Sequence, residues 1–148
     1  MDELKAILKV ILADNFIFAF KTHSYHWNVE GINFSQYHDF FGDLYQDADA
    51  TTDILAEQLR ALGEYAPISL MDLYNYKTLP EDSAKPATLQ EMLSNTLVGN
   101  TTLIASYKKL FDVATENGQD GLANLAADRM DKHKKHGWMI SSSLKTGA

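Results

Sequence analysis

Two histidines, His26 and His38, and two carboxylates one helical turn apart, Asp53 and Glu57, carry the strongest chemical signal in the chain. Imidazole nitrogen and carboxylate oxygen together suit a first-row divalent ion such as Fe(II), Mn(II) or Zn(II), without selecting sharply among them. The sequence has no cysteine, which removes disulfides, iron–sulfur clusters, thiolate zinc sites and cysteine nucleophiles together. Any metal site must use His, Asp, Glu or Tyr.

Spacing constrains how these residues meet. Between His38 and Arg60 there is no Lys or Arg, yet Asp39, Asp43, Asp47, Asp49, Asp53 and Glu57 all occur. At about 100° per residue, they fall within roughly 160° of one helical face. Such a face is often simply solvated. Here it holds like-charge pairs four residues apart at 39/43, 43/47, 49/53 and 53/57, which destabilise a helix unless a cation stands nearby. A metal is one candidate for that cation.

His38, Gly42, Asp53 and Glu57 share one stripe about 100° wide on the same wheel. Asp53 and Glu57 can share an ion, but His38 lies about 22 Å from Asp53 along a helix axis. If both ligate one metal, they come from two antiparallel copies of the helix, the arrangement a two-fold dimer supplies. His23 and His26 fall on the apolar face of the preceding segment, beside Trp27, where a histidine is more often a hydrogen-bonded core residue than a ligand. A short link brings this segment's end near His38, and that raises His26 as a ligand. Gly42 costs a helix interior about 0.5–1 kcal/mol relative to alanine.

The elements that must position these residues are helices. Leu4, Ile7, Leu8, Ile11, Leu12, Phe16, Ala19 and Phe20 recur at helical spacing, so a first helix spans about 4–27 and ends near Asn28–Gly31, with Gly31 as its left-handed cap. A second runs from about Ser35 to Leu62 and stops at Gly63. The next stretch holds all three prolines and reads as a long connection with one short helix at Leu70–Tyr76. Thr88 and Glu91 form a capping box that opens a third long helix, ending near Asn117–Gly118. A fourth spans about Asp120 to Leu144. Short outer links and a middle connection of about 25 residues describe an all-α, ferritin-like four-helix bundle with a long crossover. At 148 residues the chain is expected to form a single domain over 1–148.

The apolar N-terminus is interrupted by Asp2, Glu3, Lys5, Lys9 and Asp14, so no signal peptide or membrane span is expected. A soluble, cytoplasmic protein follows. The net charge of −7 disfavours attraction to nucleic acid or anionic membrane. Arg129, Lys132, Lys134 and Lys135 form one local basic patch, though late-helix lysines also complement the helix dipole.

The run His26-Trp27-Asn28-Val29-Glu30-Gly31, then Asn33-Phe34, His38, Tyr45, Asp53 and Ala56-Glu57, resembles the signature of the Dps family, the mini-ferritins or DNA-binding proteins from starved cells. The match is dense over residues 23–63; the rest agrees in outline, including Trp138 in the last helix. The resemblance implies twelve identical subunits in a hollow shell, with ferroxidase sites at two-fold interfaces. It implies Fe(II) oxidised preferentially by hydrogen peroxide and Fe(III) stored inside; the donor chemistry itself would also admit zinc or manganese at the same site. Carried over, His26 and His38 come from one subunit and Asp53 and Glu57 from its partner. Larger ferritins use Glu-x-x-His within each subunit, a motif this sequence lacks.

Two positions depart from the family pattern. Gly42 stands where the family has an aspartate ligand, and Gln58 where an arginine is common. The resemblance thus implies a weakened second metal position and slower oxidation, with Gly42→Asp expected to raise stoichiometry or rate. The alternative is a Dps-like shell without ferroxidase function, acting as a structural, metal-buffering or interaction protein. Trp27, Tyr25, Tyr37 and Tyr45 are expected to serve packing before radical capture. By analogy Asp120 and Asp128 would line an ion-entry pore. A basic tail for DNA is missing, and DNA binding is not expected.

Overall fold

The stripe of Leu4, Leu8, Ile11 and Leu12 is fully or almost fully buried, the inner face of helix α1 (Asp2–Asn28). The computed structural model describes residues 1–145 and places four more helices after it: α2 (Phe34–Ala61), the short α3 (Leu70–Tyr74), α4 (Leu89–Glu116) and α5 (Asp120–Leu144). No strand occurs among the described residues. Helix α1 packs along α2, α4 along α5, and α1 against α4. The partners run in opposite senses: His26 meets His38, Asn15 meets Ala48, and Lys9 meets Glu64. The fold is the ferritin-like bundle with a long crossover.

Local chemistry sets the helix ends. Thr88 Oγ1 accepts from the Glu91 amide and Glu91 Oε1 from the Thr88 amide, each at 3.2 Å, closing the capping box. Ser69 caps α3 by accepting from the Asp72 amide. Gly63 and Gly118, at φ +84° and +68°, end α2 and α4. Beyond them the Glu64 and Gln119 amides donate back to the Leu59 and Ala114 carbonyls, the Schellman pattern that favours glycine. Gly31 differs from expectation. Helix α1 ends at Asn28 with Val29 extended, and Gly31 instead shapes the turn into α2, its carbonyl accepting from the Phe34 amide. The short helix also stops at Tyr74, two residues before the expected Tyr76.

The crossover is tied to α1 by buried carboxylate chemistry. Asp14 has no exposed surface and accepts from the Thr78 amide, the Thr78 hydroxyl and the Leu79 amide. Further along, Asp82 accepts from Lys21 Nζ at 2.6 Å and from the Tyr25 hydroxyl at 2.5 Å. These bonds hold the stretch of the crossover after α3 along α1, from Asp14 to Tyr25.

A second polar set lies between the helix pairs. Arg129 of α5 holds Asp47 of α2 in a bidentate pair at 3.0 and 2.7 Å. The same guanidinium contacts His133 Nε2 at 3.1 Å, and His133 Nδ1 bonds Asn100 Oδ1 of α4 at 2.7 Å. Two expectations change. Asp47 is not an uncompensated member of the acidic face, and Arg129 is buried rather than part of a surface patch.

Candidate metal centre

The link between α1 and α2 is short, so the last turn of α1 lies against the first turns of α2. His26 Nδ1 donates to the His38 carbonyl at 2.5 Å, and His38 Nδ1 donates to the His26 carbonyl at 2.6 Å. A carbonyl can only accept, so each Nδ1 carries a hydrogen, and in the neutral rings each Nε2 keeps a free lone pair. This is how proteins commonly fix the tautomer of a ligating imidazole. The two rings stack with centroids 3.8 Å apart and planes 16° from parallel, and Phe34 stacks on His38 at 5.0 Å. Both histidines are half-buried.

Gly42, one turn after His38, is buried. A Cβ built there would stand 2.8 Å from His26 Nδ1 and 3.0 Å from its Cε1. The space that a side chain at this position would use is filled by the His26 ring.

His23 stacks on Tyr45 with centroids 3.6 Å apart and lies 4.0 Å from the Trp27 ring. Partial desolvation and the neighbouring His26 lower its pKa from the ordinary value, against a smaller opposing effect of Asp49. Tyr25 and Tyr37 are core residues, as expected; Trp27 is not, because it is 54% exposed.

Asp53 and Glu57 are exposed on α2, and the helix is unbroken from His38 to both. The axial separation of about 22 Å therefore stands. Among the described residues no group of three or more His, Asp or Glu is placed to hold a metal. One chain offers two half-sets: a histidine pair with its Nε2 atoms free, and a carboxylate pair one turn apart. Their donors fit a divalent transition ion, and neither half is complete alone. Asp120 and Asp128 are exposed on α5, and neither takes part in an ion pair among the described residues.

Reading by residue type found both half-sets but missed two features: the seat of His26 over Gly42, and the Asp47–Arg129–His133–Asn100 network. The helix-interior glycine was the available signal for the first. For the second it was a lone arginine among lysines on an apolar-periodic helix.

Comparison with known proteins identifies the family. A family model for the ferritin-like domain matches residues 5–148. The DNA protection during starvation protein of Brevibacillus brevis is 33% identical over 129 residues, covering 84% of this chain and 83% of that protein. The chain belongs to the Dps family of ferritin-like proteins. Solved Dps structures agree with the fold. The DPS protein from Vibrio cholerae O1, described as a member of a broad superfamily of ferritin-like diiron-carboxylate proteins, superposes with a TM-score of 0.92 at 25% identity, covering 97% of this chain and 90% of that one. A Dps protein from Bacillus brevis superposes equally well, with a TM-score of 0.92 at 26% identity, covering 97% and 96% of the two chains. In this chain the histidine pair lies at the α1–α2 link and the carboxylate pair in the last third of α2.

Proposed function

We propose that this Dps-family protein is an iron-oxidising and iron-storing mini-ferritin, a cytoplasmic homo-oligomer, a dodecamer by family analogy, with Fe(II) and hydrogen peroxide as substrates. His26 and His38 of one subunit bind Fe(II) together with Asp53 and Glu57 of the two-fold partner. The observation that carries this reading is the reciprocal Nδ1–H to carbonyl exchange, which leaves two Nε2 donors free in a chain that cannot complete the site by itself. Exposed apolar side chains beside the donors support a partner surface there: Trp27 next to His26, Phe34 on His38 and Ile54 next to Asp53.

In this reading two Fe(II) ions each give one electron to a peroxide. The O–O bond breaks, two protons are taken up and two waters leave, so no single-electron product of peroxide is released. The Fe(III) formed is stored within the shell. The oxygen donor missing at Gly42 makes the rate lower than a fully carboxylated site would give. The same departure favours the second reading, a metal-buffering or structural shell without ferroxidase activity. DNA is not a partner in either reading: the net charge is −7, and Arg129 is spent on Asp47.

The deciding experiment loads the assembled protein with Fe(II) anaerobically, adds peroxide, and follows Fe(III) formation and its co-elution with protein. The expected result is oxidation faster than in a protein-free control, with iron retained. Rate and retention equal to the control would remove the enzyme reading and leave the shell.

A further inference from the structure

We propose that Gly42 is a positioning residue for the metal centre: the room left by its missing side chain is the seat of the His26 ring. The proposal rests on the reading of His26 and His38 as ligands. It reverses the meaning of the glycine, from a lost donor to the condition for placing another one.

The geometry is restrictive. Nonbonded carbon atoms meet comfortably at about 3.5–4.0 Å, whereas a Cβ at position 42 would lie at 2.8 and 3.0 Å from two His26 ring atoms. The ring cannot retreat freely. Its Nδ1–H is given to the His38 carbonyl at 2.5 Å, and its face lies on the His38 ring at 3.8 Å. That carbonyl is one turn before residue 42, where a regular helix also offers it to the Gly42 amide. To reach it, an imidazole from α1 must enter the groove beside the Gly42 Cα. In this chain a side chain there meets the ring where it now stands, so admitting one displaces the ring, releases Nδ1–H, and frees His26 to change tautomer and direction.

If position 42 were only a vacated ligand position, an aspartate there would find room and add a donor. The room is already occupied. Gly42→Asp is therefore expected to unseat His26, opposite to the gain that the family pattern implies, and Gly42→Ala to do the same with no charge involved.

Thermal unfolding of the metal-free assembly provides the first test, on the unsubstituted protein, Gly42→Ala, His26→Ala and the double variant. Alanine is the better helix former, so Gly42→Ala should raise the melting temperature once His26 is absent and lower it when His26 is present. Failure of Gly42→Ala alone to assemble, while the double variant assembles, carries the same meaning. An increase in both backgrounds, or a decrease in both, overturns the proposal.

Anaerobic Co(II) titration is the second test. Loss of a residue that orients a ligand commonly weakens metal binding 10–100-fold, and Gly42→Ala and Gly42→Asp should each weaken Co(II) binding at least tenfold. Unchanged affinity in either variant, an additional Co(II) per chain in Gly42→Asp, or no Co(II) binding by the unsubstituted protein overturns it. Neither test uses iron or peroxide, so absence of Fe(II) oxidation would sink the proposed function without touching these results.

Discussion

His26 and His38 each give the Nδ1 hydrogen to the other's backbone, and so each lock survives loss of the other side chain. The stack adds a further constraint. An ion bound to an imidazole lies in the ring plane along the nitrogen lone pair, at about 2.0–2.1 Å. Two rings stacked 3.8 Å apart and 16° from parallel cannot both direct lone pairs at one ion. In the proposed site each histidine would then serve its own metal position, and the His38 position, without a carboxylate at 42, would be the weaker. His38→Ala is expected to abolish the weaker Co(II) equivalent and keep the tighter one within a few-fold of its affinity; His26→Ala is expected to abolish the tighter. Titration to saturation with ions counted per chain checks this, and loss of both equivalents in His38→Ala would show that the rings share one ion. The ligand candidates were legible in the sequence because residue type and helical spacing are local properties. The seat at Gly42 was not. Whether an interior glycine marks a lost donor or a close approach depends on which ring of another helix stands over it.

At the level of elements, α2 acts as a ruler that keeps the two half-sets apart, and the buried network ties it to the second helix pair. Burial, then the Arg129 charge, pushes His133 down to about 3; burial, partly offset by Asp47, brings His136 down to about 4, with Arg129, Lys132 and Lys135 acting in the same direction as burial. Burial, the largest single effect, would raise the Asp47 pKa, but the Arg129 hydrogen bonds and the charges of Arg129, His136 and Lys132 together outweigh it and hold the carboxyl below its usual range. The sign for the histidines follows. Both are neutral in the fold and take up protons near 6.5 when unfolded, so their contribution is complete above about pH 6.5 and is lost as pH falls toward their native values. Each contributes a slope of up to about 1.4 kcal/mol per pH unit in that window. Urea midpoints of the metal-free protein should fall between pH 6.5 and 5, and less steeply in His136→Gln; midpoints that stay level would show that these rings are not held neutral. The helix bounds themselves were readable to within a residue or two, because Thr88, Glu91, Gly63 and Gly118 act within their own turns. The network was not readable, since its members Asp47, Asn100 and Arg129 come from three helices far apart in sequence.

For the whole molecule, the acidic surface and the exposed apolar side chains pull in different directions. Net charge −7 favours dispersal, yet Ile32 is fully exposed and Trp27, Phe34 and Ile54 lie open around the ligand candidates. On the crossover, Leu70 and Met71 of α3 are more than 70% exposed. No described helix is long and apolar enough to cross a membrane, and a second copy of the chain is the cover this reading assigns to the face around the ligands. A two-fold contact makes a strong demand on mixing. Combine a chain carrying His26→Ala and His38→Ala with one carrying Asp53→Ala and Glu57→Ala. Each parent shell has no complete site. In a mixed dimer one interface site unites both damaged halves, while the other joins intact histidines to intact carboxylates. Random co-assembly makes half the dimers mixed, so about a quarter of all sites should be whole. Peroxide-driven Fe(II) oxidation by the co-refolded shells should recover to about that fraction of the unsubstituted rate, whereas shells assembled separately and then mixed should stay inactive. Co-refolded shells no faster than their parents would place all four ligands outside a shared two-fold site.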